Sequence, residues 1–384
     1  MQQTGSGERE KPRRIVYYVD EAASRGAERT VLQLAEGLPR SRYEVAVICR
    51  PDRDFIDWLQ DLGVEVIATR RGWTMPARIR GLLAQLSHVD ADIVHVFGSG
   101  DSSIRIAAAL ARVPALIWSR SGGEETTVGQ GWRHVLAGLL DSATLRFVDR
   151  LVVGGRSTTG RLTDRGGMKS NRVAVVPGGV DLKRFDPGRI SPGAWRQRLR
   201  VPREAALIAG VGPLERGSGF QDLIQARAQL ADPDVWVVIA GDGPEWEDLR
   251  ALALGLDLAD RVLFPGAVVD TPELLADADV LVFPAPLGGD PQGLLEAMAM
   301  ARPVIASDSP GLGEVITEGV DGRLAAAGDV EALSSMIRQL LSDVGGARRM
   351  GRKARSKVER EYSVEHMVRR TALLYEDCLS EEGL

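Results

Sequence analysis

Short hydrophobic runs, many of them rich in Val and Ile, alternate with longer stretches of mixed polar and apolar residues along most of the chain. Apolar runs of this length between turns are typical of strands that are buried on both faces of a parallel sheet. The alternation predicts an α/β protein with two doubly wound, Rossmann-like domains facing a cleft. The predicted strands are Ile15–Val19, Val45–Cys49, Val64–Ile67, Ile93–Phe97, Leu116–Trp118, Leu151–Val153, Val173–Val176, Leu207–Val211, Val235–Ile239, Val262–Phe264, Val280–Phe283 and Val304–Ala306.

The proline- and glycine-rich segment PGGVDLKRFDPGRISPG separates the two sets of strands and is typical of a linker. We therefore expect a first domain over 14–180, a linker over 181–202 and a second domain over 203–360. Apolar residues recur at helical spacing near the C-terminus, and we expect 361–384 to form a helix that packs back on the first domain. The polar residues 1–13 are predicted to be disordered.

Composition and charge exclude several classes of protein. The net charge of -5 and the pI near 5.6 argue against a nucleic-acid partner. Two cysteines far apart in the sequence, Cys49 and Cys378, argue against a disulfide framework and a cysteine-based zinc site. Because we find neither a signal peptide nor an apolar run of membrane-spanning length, we expect a cytoplasmic location.

Four arginines lie around Trp73 among apolar residues, and this pattern has two interpretations. It fits an amphipathic helix that contacts the inner membrane face peripherally. It also fits a solvated helix face, which we favour. The arginines are Arg70, Arg71, Arg78 and Arg80.

The glycine-rich run GVGPLERGSG at 210–219 follows one predicted strand and precedes a predicted helix. Free backbone amides and a helix N-terminus can bind a diphosphate, so Gly210 and Gly212 are candidate donor ligands and Arg216 is the candidate cation. The run lacks the GK[ST] ending of an ATPase P-loop. A second turn, GDGPE, contributes Gly241 and Gly243, and it fits either a nucleotide-sugar contact or a purely structural turn.

The first half offers two anion or hydroxyl sites at strand ends. Arg25 and Gly26 open a predicted helix directly after the first strand, although a plain strand–helix turn would look the same. Arg120, followed closely by Glu124, ends another strand and is either a ligand or a solvated loop residue. His95 ends a predicted strand, where we expect a packed side chain rather than a catalytic base.

Glu296 is the one carboxylate within the apolar helical run GLLEAMAMA. A buried carboxylate without a partner is energetically costly, so this side chain requires a hydrogen-bond donor. A sugar hydroxyl of a ligand would satisfy it.

Five segments, taken in order, resemble the retaining glycosyltransferases of the GT-B fold in the large group 1 family (family 4). They are RGAER, PGGVDLKRFDP, VGPLERGSGFQDLIQA, VVIAGDGPEWEDLRALALGLDLADRVLFPGAV and GLLEAMAMARPVIASDSPGLGEVI. The resemblance covers roughly residues 13–380. It implies a nucleoside-diphosphate sugar donor on the second domain and a hydroxyl acceptor on the first. It also implies that no metal or other cofactor is needed, as backbone amides and basic side chains neutralise the leaving diphosphate.

The resemblance also implies roles for individual residues. Glu296 would hold the donor ribose, Gly266 to Val268 would line the base, and Gly293 and Leu294 would contact the donor. Arg120 occupies the position of the family's catalytic histidine, as in members that carry WxxR. Arg25, Gly26 and Glu124 would lie on the acceptor side.

The donor motifs depart from the family pattern at several positions. The first acid of the family's Glu-x7-Glu corresponds to Gly288, and Asp290 is the nearest carboxylate. Pro213 and Ser218 stand where the family places an arginine and a lysine for the diphosphate. We therefore assign Asp290 as the acid facing the sugar and Arg216 as the phosphate cation.

The resulting prediction is a glycosyltransferase that moves a hexose from a nucleoside-diphosphate sugar to a hydroxyl acceptor with retention, as in polysaccharide biosynthesis. The acceptor would be a glycan, a lipid-linked molecule or a small molecule. Two alternatives stay open: a diverged GT-B protein that binds a partner without catalysis, and a sugar-nucleotide epimerase on the same fold.

Overall fold

We analysed a computed structural model of the chain. It describes residues 11–20, 25–50, 53–69, 74–98, 101–120, 140, 142–157, 168–268, 270–287 and 290–381. The contacts divide the chain into two compact units. The first unit comprises Met1–Gly154, Thr158–Pro177 and Met367–Leu384, and the second comprises Gly155–Ser157 and Gly178–His366. In this division the expected linker, 181–202, lies within the second unit.

The described strands of the first unit form one seven-stranded sheet in the order β3-β2-β1-β4-β5-β6-β7. Every neighbouring pair is parallel. The chain changes direction across the sheet between β1 and β4, which makes this the topological switch point. The strands are β1 Arg13–Val19, β2 Tyr43–Cys49, β3 Glu65–Ala68, β4 Ile93–Phe97, β5 Ala115–Arg120, β6 Arg150–Val153 and β7 Val173–Val175.

Helices follow these strands and bury their apolar faces on the sheet. The Met75–Val89 helix has a proline in its first turn, where no N–H is needed, and buries Leu82 and Leu86. Asp101 begins the Ser102–Ala111 helix by accepting the backbone N–H of Ser103 at 2.8 Å. Further helices of this unit are Arg25–Gly37 and Arg53–Asp61, with 3-10 turns at Leu145–Phe147 and Ser170–Arg172.

The second unit contains a six-stranded sheet among its described residues, in the order β10-β9-β8-β11-β12-β13. All its neighbouring pairs are parallel, and its switch point lies between β8 and β11. The strands are β8 Ala206–Val211, β9 Val235–Ala240, β10 Val262–Gly266, β11 Val280–Phe283, β12 Val304–Ser307 and β13 Arg323–Ala325. The sequence pattern did not predict β13, which is a three-residue edge strand that begins with an arginine.

The helices of the second unit cover both faces of its sheet and are capped by aspartates at several starts. Asp329 accepts the N–H of Ala332 at 2.9 Å, and Asp277 accepts the N–H of Trp195 at 2.7 Å. The described helices are Ala194–Arg198, Phe220–Ala228, Trp246–Gly255, Pro272–Asp277, Gln292–Ala299, Leu312–Val315, Val330–Ser342 and Val344–Glu361.

The proline- and glycine-rich segment that the sequence suggests as a linker is held firmly within the second unit. The N–H of Val180 donates to the carbonyl of Tyr362 at 2.8 Å. Phe185 is fully buried, and its carbonyl accepts from the Arg355 guanidinium at 3.0 Å. The carboxylate of Asp181 accepts the N–H of Lys183 at 2.8 Å. Turn chemistry and a buried aromatic side chain therefore fix this segment.

The C-terminal helix, Val364–Glu381, belongs to the first unit from Met367 onward. Val368 packs closely against the backbone at Gly37, where an added Cβ would lie 2.6 Å from a Val368 methyl carbon. Glu376 forms an ion pair with Arg42 at 2.8 Å. Tyr375 is fully buried. The last helix thus completes the core of the first unit.

Candidate functional site

The carboxyl ends of β8 and β11, at the switch point of the second sheet, form the candidate donor site. Ligands of open α/β sheets bind in the crevice outside the strand ends at such a point. The loop after β8 covers 212–219, and the loop after β11 leads from Pro284 to the Gln292–Ala299 helix. The candidate donor residues of the sequence analysis lie in or next to these loops and the loops after β9 and β10.

The loops after β8 and β11 pack directly against each other through two glycines. Gly219 has φ +75°, and an added Cβ would overlap the carbonyl oxygen of Pro284. Gly217 has φ +88°, and a Cβ there would lie 2.8 Å from Cδ1 of Leu287. Both positions therefore favour glycine for conformation, and Gly219 also has no space for a side chain because the atom it meets belongs to the backbone.

The loop after β9 packs against the loop after β8 in the same way. A Cβ on Gly241 would overlap the carbonyl oxygen of Gly212, and one on Gly243 would overlap that of Leu214. The N–H of Gly212 donates to the carbonyl of Ala240 at 3.1 Å. Gly241 and Gly243, which we predict as donor ligands, therefore also have a structural reason to be glycine.

Gly210 lies inside β8, where its backbone is buried beneath the Phe220 ring. A Cβ on Gly210 would lie 2.7 Å from Cε1 of Phe220. Gly212 is only partly buried, and a Cβ there would make an ordinary contact of 3.6 Å with the same ring. Of the two glycines, Gly212 is thus the partly exposed one at the strand end, although its N–H is already donated to Ala240.

Arg216 is exposed on the loop after β8, and the structure gives its guanidinium no ion pair or hydrogen bond within the described residues. Ser218 lies two residues later with its hydroxyl oxygen buried and without a hydrogen-bond partner in the described part of the chain. Pro213, in contrast, is exposed. Arg216 is thus available as a cation at the strand ends.

The N-terminus of the Gln292–Ala299 helix sits on the ends of β8 and β11. A Cβ on Gly293 would lie 3.2 Å from Cε1 of Phe283. The carboxylate of Asp290 accepts the N–H of Gln292 at 3.0 Å, which fixes the start of the helix. The N–H groups of Gly293 and Leu294 have no acceptor among the described residues, while the Leu294 side chain is fully buried. This helix end can therefore offer backbone N–H groups to an anion.

Glu296 is 7% exposed and has a protein partner that the sequence analysis missed. The side-chain amide of Gln292 donates to Oε1 of Glu296 at 3.1 Å and to the carbonyl of Gly179 at 3.4 Å. The signal was present in the sequence, because residues four apart lie on one face of a helix. Position 288, where the family carries its first acid, lies outside the described residues.

The expected base site follows β10. Gly266 has φ +83°, and a Cβ there would meet open space. Its carbonyl accepts the N–H of Gly241 at 3.0 Å, which joins the loop after β9 to this strand end. Val268 is partly buried and packs against a core cluster that includes Trp195 and Leu274. A small open area thus lies at Gly266, bounded by an apolar side chain two residues later.

The expected acceptor residues belong to the first unit and are only partly described. Gly26 is exposed in the first turn of the Arg25–Gly37 helix, but the Arg25 side chain and all of Glu124 lie outside the described part. Arg120 ends β5 half-buried, with its Cζ 5.7 Å from the centroid of the Trp118 ring. The buried Arg105 also contacts this ring, with its Cζ 5.0 Å from the centroid.

The switch point of the first sheet carries a polar cluster that the sequence analysis did not single out. The carboxylate of Asp101 accepts from the Tyr18 hydroxyl at 3.2 Å and from the Arg78 guanidinium at 2.9 Å. Asp20 directly follows β1 in a buried position, and a Cβ on Gly98 would overlap its carboxylate. Tyr18, Arg78 and Asp101 are far apart in the sequence, so only the sheet order brings them together.

His95 is buried within the sheet and is not placed as a catalytic base. Both ring nitrogens are hydrogen-bonded at 2.7 Å, Nδ1 to the Tyr375 hydroxyl and Nε2 to the Ser119 hydroxyl. Burial lowers the pKa of His95 to about 3. The sequence interpretation of a packed strand residue is therefore confirmed.

The arginine cluster around Trp73 is described only in part, since Arg70, Arg71 and Trp73 lie outside the described residues. Arg78 forms an ion pair with Asp101, while Arg80 is exposed. Both arginines lie on the Met75–Val89 helix, whose apolar face is buried in the core of the first unit. Nowhere in the described part of the chain is a helix both long enough and apolar enough to cross a membrane.

Two family models match the chain. The model described as "Glycosyltransferase Family 4" matches residues 24–184, and that described as "Glycosyl transferases group 1" matches residues 193–357. The chain belongs to the group 1 glycosyltransferases. The two matched segments contain the candidate acceptor and donor residues, respectively, so the site described above lies within the family's own regions.

The curated relatives of this group 1 glycosyltransferase match different shares of the chain. N-acetyl-alpha-D-glucosaminyl L-malate synthase of Bacillus anthracis is 34% identical over 188 residues, which is 49% of each protein. The chain thus spans about half of that relative's length. UDP-Gal:alpha-D-GlcNAc-diphosphoundecaprenol alpha-1,3-galactosyltransferase of Escherichia coli is 25% identical over 365 residues, which is 92% of this chain and 94% of the relative.

Solved structures of similar fold cover nearly the whole of this glycosyltransferase. A glycosyltransferase from Rickettsia africae has a TM-score of 0.85 at 18% identity, covering 96% of this chain and 99% of that one. Anabaena HepE in complex with UDP has a TM-score of 0.79 at 19% identity, covering 95% and 100%. These likenesses, together with two parallel Rossmann-like sheets, confirm the predicted GT-B fold.

Proposed function

We propose that this protein moves a hexose from a nucleoside-diphosphate sugar to a hydroxyl acceptor, with retention of the anomeric configuration. The observation that carries the proposal is the switch-point crevice of the second sheet. There Arg216, the partly exposed backbone of Gly212 and the start of the Gln292–Ala299 helix lie at the ends of neighbouring strands. This is the chemistry expected of a site for a diphosphate. The solved structures of Anabaena HepE with UDP and with UDP-glucose further support a nucleotide-sugar donor.

In the proposed donor complex, the diphosphate lies between Arg216 and the N–H groups of Gly293 and Leu294. These groups neutralise the charge that develops on the leaving nucleotide, as a fixed set of donors does for other developing anions. The backbones of Gly212, Gly241 and Gly243 line the donor.

Glu296 binds the ribose hydroxyls of the donor in this proposal. Its carboxylate already accepts one hydrogen bond from Gln292, which holds it in place and leaves further acceptor sites for hydroxyl groups. Gly266 and Val268 would contact the base, where a side chain at Gly266 would occupy the open area.

Asp290 faces the transferred sugar in the proposed complex. One of its oxygens holds the N–H of Gln292, so the carboxylate has a defined position at the start of the helix. We assign Arg120 and Gly26, with Arg25 and Glu124, to the acceptor side on the first unit. The acceptor hydroxyl attacks the anomeric carbon as the bond to the diphosphate breaks, and its proton leaves with the departing phosphate oxygen.

The test is incubation of the purified protein with UDP- and GDP-hexoses and three hydroxyl acceptors: a lipid-linked sugar diphosphate, an aminocyclitol and malate. The expected result is a glycoside whose anomeric configuration, measured by NMR, equals that of the donor. Inversion at the anomeric carbon would refute the retaining mechanism. Absence of transfer, donor hydrolysis and nucleotide binding together would refute the glycosyltransferase.

A non-catalytic role is the second candidate, and two observations favour it. Asp290 is engaged at the helix start, while Pro213 and Ser218 supply no charge to the diphosphate. A binding protein of this kind should give little thermal stabilisation with UDP or GDP and no product. The relatives reported above are named for transfer or synthesis, which favours transfer over epimerisation.

A further inference from the structure

Four polar side chains form a buried chain through the first unit. His95 of β4 contacts the Tyr375 hydroxyl through Nδ1 and the Ser119 hydroxyl through Nε2, both at 2.7 Å. The Tyr375 hydroxyl lies 3.4 Å from that of Tyr17 on β1, which pairs with His95 in the sheet register. Tyr17 and Tyr375 are fully buried, whereas Ser119 is half-buried next to the end of β5. The chain thus runs from the core to a strand end.

His95 is neutral at ordinary pH, because it is buried and both of its contacts are to uncharged hydroxyl groups. A neutral imidazole has one N–H donor and one nitrogen acceptor. The two hydroxyl groups on either side of the ring must therefore play opposite roles. Fixing the direction of one hydrogen bond fixes the direction of the other.

The contact between the two tyrosines selects one direction. The Tyr17 hydroxyl is fully buried, and its one hydrogen-bond partner among the described residues is the Tyr375 hydroxyl, so Tyr17 must donate its hydrogen to the oxygen of Tyr375. The Tyr375 hydroxyl then donates to Nδ1 of His95, and Nε2–H of His95 donates to the oxygen of Ser119. The hydroxyl hydrogen of Ser119 then remains for a partner outside the chain, and that partner must accept it.

We infer that Ser119 contacts the acceptor substrate and donates a hydrogen bond to the oxygen of one of its hydroxyl groups, and that His95 and Tyr375 are positioning residues which orient Ser119. The location supports this role, since Ser119 precedes Arg120 at the carboxyl end of a parallel strand, where ligands of such sheets bind. The inference rests on the proposed function in placing the acceptor on the first unit.

The same contacts resemble a serine–histidine pair for nucleophilic catalysis, but the chemistry argues against it. Such a base needs a pKa near the working pH and a third group that stabilises the charged ring. His95 has its pKa lowered to about 3, and the third group is the neutral hydroxyl of Tyr375. Ser119 is therefore oriented, not activated.

The first experiment determines the direction of the hydrogen bonds by NMR on protein labelled with 15N-histidine, which distinguishes protonated from unprotonated ring nitrogens without any activity. The expected result for His95 is an unprotonated Nδ1 and a protonated Nε2. In Tyr375→Phe, where Nδ1 loses its donor, the preference for this tautomer should fall. The opposite tautomer in the unaltered protein would overturn the inference.

The second experiment compares kinetic constants for the acceptor and the donor. Ser119→Ala should raise KM for the acceptor about tenfold, the effect of one hydrogen bond, and leave donor KM and donor hydrolysis unchanged. Ser119→Thr, which keeps the hydroxyl, should restore acceptor binding, and Tyr375→Phe should raise acceptor KM by a smaller factor.

Tyr43→Phe is the matched control. The Tyr43 hydroxyl also contacts the C-terminal helix, where it donates to Glu376 at 3.1 Å. It forms no hydrogen bond with His95 or Tyr375 within the described residues. Equal changes in acceptor KM for Tyr43→Phe and Tyr375→Phe would overturn the positioning role, as would an unchanged KM in Ser119→Ala. If the unaltered protein hydrolyses the donor but transfers sugar to no acceptor, the result would count only against the role of Ser119 in acceptor binding. If the unaltered protein does not act on the donor at all, the result would count against the proposed function itself.

Discussion

The side-chain amide of Gln292 donates a hydrogen bond to the carboxylate of Glu296 across one helical turn, with Nε2 3.1 Å from Oε1. The amide also reaches the carbonyl of Gly179, at 3.4 Å, in the segment that precedes Val180. A carboxylate that is 7% exposed is thereby held in one orientation before any ligand arrives.

Glu296→Gln should weaken nucleotide binding roughly tenfold, because hydrogen bonds to a charged group are among the stronger ones. Gln292→Ala should weaken it less, since the carboxylate remains but loses its orienting partner. Isothermal titration with UDP and with GDP measures both. Gln225→Ala, an exposed glutamine on the neighbouring Phe220–Ala228 helix, is the control and should bind as the unaltered protein does. Unchanged affinity in Glu296→Gln would contradict the ribose contact.

The alternation of hydrophobic runs predicts both sheets because buried parallel strands consist of continuous apolar residues. The same criterion misses β13, whose three residues include the half-buried Arg323. Partners distant in sequence are missed for a different reason. His95 and Tyr375 are 280 positions apart, and only the docking of the last helix brings them together. Gln292 and Glu296 are four residues apart, so their contact was within reach of helical periodicity.

The reason for each glycine in the donor loops also cannot be read from the sequence alone. Sequence motifs indicate that glycine is needed after β8 and β9, but two physical reasons give the same pattern: close approach of a ligand, and close approach of another loop. The contacts of Gly241 with Gly212 and of Gly243 with Leu214 establish the second reason. The first stays a prediction.

Gly219→Ala should destabilise the protein by at least about 2 kcal/mol. The backbone has φ +75°, and the new Cβ would overlap the carbonyl oxygen of Pro284, so both conformation and space oppose the change. Gly255→Ala is the control, because this helical glycine has ordinary φ and nothing near its added Cβ. It should be neutral or stabilising by up to about 1 kcal/mol. Chemical denaturation measures both, and equal midpoints would contradict the loop packing described here.

Arg216→Ala should reduce affinity for the nucleoside diphosphate by about 10- to 100-fold, the effect of one charge-assisted contact. Binding of the nucleoside alone should not change, because the guanidinium is proposed to contact only phosphate. Raising the salt concentration should narrow the difference in diphosphate affinity between the variant and the unaltered protein. Arg203→Ala, a second exposed arginine of the same unit, serves as the control. Equal losses of affinity for the nucleoside and for the nucleoside diphosphate would contradict a phosphate contact of Arg216.

The buried His95 should make the protein less stable as the pH falls. Its pKa is lowered by burial to about 3, against 6.5 for an ordinary histidine, so the unfolded chain binds a proton that the folded protein does not. The contribution of His95 to the free energy of unfolding is fully present above pH 6.5 and declines as the pH falls toward 3. Between pH 7 and pH 5 the loss should be about 2 kcal/mol. His95→Gln, which cannot titrate, should be less stable overall but should lose about that much less over the same interval. Denaturation midpoints at several pH values measure the slope, and parallel slopes for the two proteins would show that His95 is not the group responsible.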